Sequence, residues 1–316
     1  MNTALSWFGP LAALALAPLL PGIINRVKAR MAGRRGKPIL QLYYDINKLL
    51  RKSPVIPRVT GPVFTAAPAL NLGTVVVGLF LVPLGGFAAP LAFEGDFLAV
   101  AAALALGRFA MILAALDTGS AFEGMGAARE ALFGAMAEPI FLLGMAVLAY
   151  KSGGLSLSEM LPNTSPDMLA LQRPFFLLLG LALFLLLLTE NSRIPVDDPN
   201  THLELTMIHE VMVLDHSGPD LALVEYAAAL KLWLFSLLVA GVLLPAHPPA
   251  PAGAGTWETL APVLSNLGSG LAAVAGTAVV VGLVESFMAR LRMERVPQVL
   301  TLAGAFACLA GIVLWR

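Results

Sequence analysis

Long apolar runs alternate with short polar ones along this chain, and the apolar runs have the length that a bilayer requires. A hydrocarbon core of about 30 Å needs roughly 20 apolar residues per helix. Eight stretches meet that length: 4–25, 64–90, 97–117, 130–150, 173–190, 221–245, 267–289 and 296–315. Leu171 to Leu188 is almost purely Leu and Phe and marks the plainest span. Pro21 and Gly22 in the first stretch, and Pro68 and Pro83 in the second, predict kinks. Between these two stretches, Ile39, Leu42, Tyr43, Ile46, Leu49 and Leu50 recur at helical spacing among Asp45, Lys48 and Arg51. The segment 37–52 therefore reads as an interfacial amphipathic helix, lying on anionic lipid or docking a partner at the mouth of a cavity.

Composition supports the pattern. Of 316 residues, 58% are hydrophobic and 13% charged, where a soluble domain carries about a quarter charged. The expected fold is all-α: a polytopic membrane protein of about eight transmembrane helices, with residues 1–316 forming a single integral membrane domain. Lys+Arg and Asp+Glu are balanced at 20 each, so net charge gives no sign of a nucleic-acid partner. The single cysteine, Cys308, excludes a disulfide framework and a self-contained iron–sulfur site. The N-terminus has no basic n-region and reads as a retained span. No internal repeat is visible, which argues against transporters built from inverted repeats.

Lysine and arginine set the orientation. The loop after the first span holds Arg26, Lys28, Arg30, Arg34, Arg35, Lys37, Lys48, Arg51, Lys52 and Arg58, and the same side receives Arg129, Arg193, Arg290, Arg292 and Arg295. The opposite side holds Lys151, Arg173 and Arg316. Both termini are thus expected on the outer side of a cell's cytoplasmic (inner) membrane. The basic loop and the acidic 190–220 loop are expected in the cytoplasm.

Charges inside spans carry the next layer. Arg108, Glu138, Glu225, Lys231 and Glu285 fall within or at the rim of predicted helices, where each costs at least ~2.5–3.5 kcal/mol at mid-bilayer. Such groups pair with one another, as Glu225 with Lys231 would in one bundle, or serve a proton route. Arg193 and Arg129 are placed to hold neighbouring acids ionised. Directly after the Leu/Phe helix, the run from Glu190 to Glu210 is dense in acids and histidines. The spacing of His202, His209 and His216 at seven raises a metal site, but His209 is followed four residues on by Val213, so the His-Glu-x-x-His pattern fails. The histidines read better as polar groups capping the loop and docking a partner. With no phosphate-binding glycine loop, nucleophile motif or dinucleotide fingerprint, chemistry on a substrate within this chain is not expected.

Glu190-Asn-Ser-Arg-Ile-Pro-Val-Asp197, Glu204-Leu205, Asp215-His-Ser-Gly218 and Glu225-Tyr226 resemble the loop after the fifth helix in subunit 1 of respiratory complex I. Gly36 to Lys48 resembles that family's interfacial helix, and Gly126-Ala-Ala-Arg-Glu130 with Glu138 its fourth-helix start. Val196 stands where that pattern has Phe, and Asn200 and His202 where it often has acids. The stretch Thr201 to Gly218 resembles more closely the membrane subunit of group 4 nickel–iron hydrogenases of the formate hydrogenlyase type.

The resemblance implies a non-catalytic subunit of an oxidoreductase complex. It would anchor a nickel–iron large subunit and an iron–sulfur small subunit, and relay redox energy to antiporter-like membrane subunits for ion translocation. Glu138, Glu190, Asp197, Glu204, Glu210, Asp215 and Glu225 are the implied coupling residues, with Arg193, Arg129, His202 and His209 docking or orienting the arm. No cofactor or metal is expected in this chain, the nickel–iron centre and clusters belonging to partners. A quinone-binding subunit of a complex I-type NADH:quinone oxidoreductase is the alternative, and a free-standing transporter or channel the third reading.

Overall fold

Residues 5–161, 172–197, 207–244 and 256–315 are described by the computed structural model, with 256–259 described by backbone alone. The described residues form helices and no named strand. Among the described residues, seven helices are long and apolar enough to cross a membrane, and a bent pair makes up to eight.

The bent pair is the first span. Helix α1 (Phe8–Leu16) and α2 (Leu19–Met31) meet at 51°. The sequence predicts the kink at Pro21–Gly22, but the chain breaks a turn earlier, at Ala17 and Pro18. Pro18 has no N–H to offer the Leu14 carbonyl four residues back, whereas Pro21 lies in the first turn of α2, where a missing N–H matters little. Two tyrosines satisfy the carbonyls at the break. Tyr226 donates to Leu14 O at 2.7 Å, and Tyr43 donates to Ala15 O. Tyr43 lies on α3 (Gln41–Leu50), the interfacial helix that the 37–52 pattern predicts. The chain just before that helix approaches so closely that a Cβ on Gly22 would stand 2.1 Å from Ile39 O.

The remaining spans are α4 (Pro62–Leu81), α5 (Asp96–Asp117) and α6 (Ala121–Ser152), then α8 (Arg173–Glu190), α10 (Gly218–Leu243), α11 (Thr256–Phe287) and α12 (Val296–Trp315). Short helices α7 (Leu157–Met160) and α9 (His209–Met212) sit in connections. Helix α4 stops at Leu81, short of the expected 90. Val82 turns extended and Pro83 follows the helix instead of kinking it. Helix α6 starts nine residues before the expected 130, because its first turns carry Glu123, Arg129 and Glu130 and do not register as apolar.

One end of the bundle collects the basic loop, α3, α9 and the 191–197 segment; it is the basic end below. The depth of α8 decides the site. Its last residue, Glu190, pairs with Lys231, about 20 Å along α10 from Gly218 at ~1.5 Å per residue. The helix therefore ends inside the bundle, and residues 191–197 climb out as non-helical backbone. Such backbone survives at depth only where the protein satisfies it. Here Asn191 N, Ser192 N and Arg193 N donate to Leu187 O, Thr189 O and Leu188 O at 3.1, 3.2 and 2.8 Å.

Candidate functional site

Glu190 is the centre of a buried charge hub. Its Oε1 accepts from Arg108 Nη2 at 2.5 Å and its Oε2 lies 2.8 Å from Lys231 Nζ. Arg108 Nε stands 3.6 Å from Glu130. Two cations and two carboxylates from α5, α6, α8 and α10 thus meet where a lone charge would be costly. Gly134 makes room for the hub, since a Cβ there would lie 2.2 Å from Arg108 Nη1.

The hub borders a polar cavity. Arg108, Glu130, Glu190, Asn191, Arg193, His209 and Lys231 line it, and it encloses about 680 Å³ out to its mouth. A smaller cavity of about 310 Å³ shares Leu104, Arg108 and Glu190 and extends to Glu138. Glu138 lies near the middle of the long α6, deeper than the one to two turns that a span beginning at 130 suggests.

A second ionic group braces the segment above the hub. Glu285, at the end of α11, pairs with Lys28 of α2 at 2.7 Å and lies 3.7 Å from Arg193. Asp197 pairs with Arg290 at 2.9 Å and accepts from Ile208 N at 2.9 Å and His209 N at 3.4 Å. Leu291 N closes the brace on Pro195 O at 2.9 Å. Asp197 is buried in this brace and is absent from the cavity walls.

The other expected residues fall in different settings. Glu225 has Glu210, His209, Arg193 and Asp45 as its charged neighbours. Its expected pairing with Lys231 is not formed, because Lys231 lies a turn and a half further along α10 and points to Glu190. Arg129 donates to Met207 O at 2.7 Å and Arg193 faces Glu285, so both tie down the loop. Asp215 is exposed, while its N–H donates to the buried Glu123 at 3.1 Å. Glu204, His202 and Asn200 lie outside the described residues. No group of three or more metal-ligating side chains occurs among the described residues. His209 lines the cavity, whereas His216 is buried and stacked on Phe64, with centroids 4.1 Å apart and planes at 8°. Burial holds the His216 imidazole below its ordinary pKa, with Asp220 and Asp215 pulling weakly the other way.

Arg108 and Lys231 stand out in the sequence as costly charges in spans, but nothing in it says that they converge on Glu190. Glu123, Glu130, Gly134 and Arg290 carry no such signal of position, since their roles arise from contacts between distant segments.

A bundle of seven or eight apolar helices with a charge hub beside a polar cavity defines a multi-pass membrane protein that keeps charges buried by design. A family model described as NADH dehydrogenase matches residues 5–315. Formate hydrogenlyase subunit 4 of Escherichia coli (strain K12) is 31% identical over 300 residues, covering 95% of this chain and 94% of that protein. Hydrogenase-4 component C of the same organism is 34% identical over 307 residues, covering 95% and 91%. One subunit of the NADH-quinone oxidoreductase of Thermomicrobium roseum is 28% identical over 258 residues, covering 74% and 73%. The chain belongs to this NADH dehydrogenase family, which it shares with the membrane subunits of formate hydrogenlyase and hydrogenase-4. Its fold is that of a chain in the membrane-bound sulfane sulfur reductase, an archaeal respiratory membrane complex, with a TM-score of 0.77 at 20% identity and 99% of each chain covered.

Proposed function

We propose that this chain is the membrane anchor and energy-coupling subunit of a multisubunit nickel–iron hydrogenase complex of the formate hydrogenlyase type. The basic end faces the cytoplasm, with both termini outside. Its 191–217 segment seats the large and iron–sulfur subunits, which hold the nickel–iron centre and the clusters. The supporting observation is the position of the Arg108–Glu190–Lys231 hub: the segment that would meet the arm starts at Glu190 itself. A shift of that segment moves the carboxylate against two cations. In a low-dielectric cavity such a displacement is electrostatically strong. Through the shared cavity wall it reaches Glu138, and from there antiporter-like membrane subunits.

The relatives favour the hydrogenase reading over a quinone site, at 31 and 34% identity over 95% of this chain against 28% over 74%. The deciding experiment is a mild-detergent pull-down of the chain from native membranes with mass spectrometry and a hydrogen-evolution assay. A nickel–iron large subunit with hydrogen activity supports the proposal. Recovery of NADH-oxidising subunits would replace it with a complex I-type assembly, and a solitary active chain with a transporter. Within the recovered complex, Glu138→Gln or Glu225→Gln should leave the subunits together and abolish hydrogen-linked ion movement in sealed vesicles. Loss of the complex itself would mark these acids as structural.

A further inference from the structure

Toward the end of the bundle opposite the basic one, three helices enclose an apolar groove. Helices α8 and α11 both pack on α10, and the space between them forms a groove of about 890 Å³ out to its mouth. Its floor is built from small residues. A Cβ on Gly180 would stand 2.6 Å from Leu243 Cδ2, and Ala240 and Ala273 line the groove beside it. Thr277 is the one polar side chain among the described residues of the wall, and it donates to Ala273 O at 3.0 Å. No donor in the wall is left in search of a partner, so the groove suits hydrocarbon rather than water or a polar ligand.

The rim decides between a helix and a lipid chain. Leu177, Leu181 and Val280 stand there, 58, 47 and 46% exposed. Side chains of this size hold a neighbouring helix off, since close helix approach needs small residues. A flexible acyl chain can follow the floor instead. The position of charge fits a lipid as well. On α8, Arg173, Leu177, Gly180, Leu181 and Phe184 recur every three or four residues and share one face. Arg173 is exposed, and no ion pair to it forms among the described residues. From Arg173 to Phe184 the helix runs about 17 Å at ~1.5 Å per residue, close to one leaflet's half of a ~30 Å core. Lys151 Nζ lies 4.4 Å from the ring centroid of Phe176, in the first turn of α8, so a second cation stands at this end.

We infer that the α8–α10–α11 groove binds an anionic phospholipid of the leaflet at this end, with one acyl chain against α10 and the phosphate at Arg173. A helical side chain leans toward its helix N-terminus, which carries the Arg173 guanidinium toward the headgroups. Two cations without a carboxylate partner among the described residues select a headgroup of net negative charge over a zwitterionic one. The bound chain joins α8 to α11, whose far ends carry Glu190 and Glu285. The site goes beyond the coupling role and holds whichever soluble subunits the complex contains.

The test uses the purified complex in mild detergent and a phosphatidylglycerol with a photoactivatable group in its acyl chain. The expected result is labelled peptides from α8 and α11, around Leu181 and Val280. Unlabelled phosphatidylglycerol should compete about fivefold better than phosphatidylcholine, the discrimination expected of one cation near a headgroup. Arg173→Gln, at an exposed position, should bring the two competitors to parity. Ala273→Leu, which fills the floor, should cut the labelling of both helices. Label spread evenly over the lipid-facing helices, or equal competition by the two lipids in the wild type, would overturn the site. A photocrosslinking residue at Leu181 of the complex in native membranes tests the occupant directly. Adducts of anionic phospholipid support the proposal, and an adduct to a helix of another subunit or of a second copy overturns it.

Discussion

Asp96 and Glu190 are both buried carboxylates on membrane-spanning helices, one at the start of its helix and one deep inside the bundle, and they are satisfied in opposite ways. Asp96, at the start of α5, accepts from Ser156 Oγ and Leu157 N, each at 2.7 Å. Both donors are neutral and one is backbone, so the carboxylate fixes the 153–161 connection. Glu190 is held by two long cationic side chains beside an open cavity, one of them shared with Glu130. Its partners line that cavity, and the backbone that follows it is unwound. Burial alone therefore does not mark a functional acid. What separates the two is whether the compensating groups are neutral and packed, or charged and next to space.

The sharpest way to break the comparison is at the hub. Glu190→Gln leaves Arg108 and Lys231 buried without their shared anion, and removing one partner of such a pair costs about 3–5 kcal/mol. The detergent-solubilised complex should melt well below wild type and lose ion coupling. Pairing the change with Lys231→Met should recover much of the stability and none of the coupling; full coupling in the double variant would show that the hub is only structural. Asp96→Ala should cost about 1.5–3 kcal/mol, the range for hydrogen bonds to a charged group, while coupling per assembled complex stays at wild type. A coupling defect there would erase the distinction between the two acids.

Gly134 offers a gentler probe. A Cβ at this position displaces the guanidinium of Arg108, and Gly134→Ala should cost about 1–3 kcal/mol as an overpacked site. The defect should appear in ion movement more than in recovery of the complex. Unchanged ion movement would mean that Arg108 can give way without consequence.

The smallest effect is expected at His216. Its folded pKa lies below the ordinary value, so below about pH 6.5 the unfolded chain takes up a proton that the buried ring refuses. Stability should fall as pH drops through that window and be fully present above it. His216→Phe keeps a ring against Phe64 and should flatten the acid limb of a thermal-unfolding profile; an identical limb would assign the acid sensitivity to other groups.

Much of the architecture was legible in the residues alone. The apolar runs marked the spans, because a bilayer imposes length and composition locally. The period of Ile39, Leu42, Tyr43 and Ile46 marked the interfacial helix for the same reason. Boundaries moved where polar first turns hid the start of α6, and where Pro83 ended α4 instead of bending it. The site was legible only as residue types. Glu190 and Glu138 were singled out together with Asp197, yet Asp197 sits in a brace with Arg290 while Glu190 and Glu138 line adjacent cavities that share a wall.

Composition and motif were enough to settle the membrane-spanning class, the family and the inventory of costly charges, since each is written within short windows of the chain. Which charge meets which is a matter of packing. Arg108, Glu190 and Lys231 come from three helices far apart in the chain, and they meet because α8 stops deep in the bundle and Gly134 leaves the space. Pairing in a low-dielectric interior depends on distances of a few ångströms, and these are set by how helices pack.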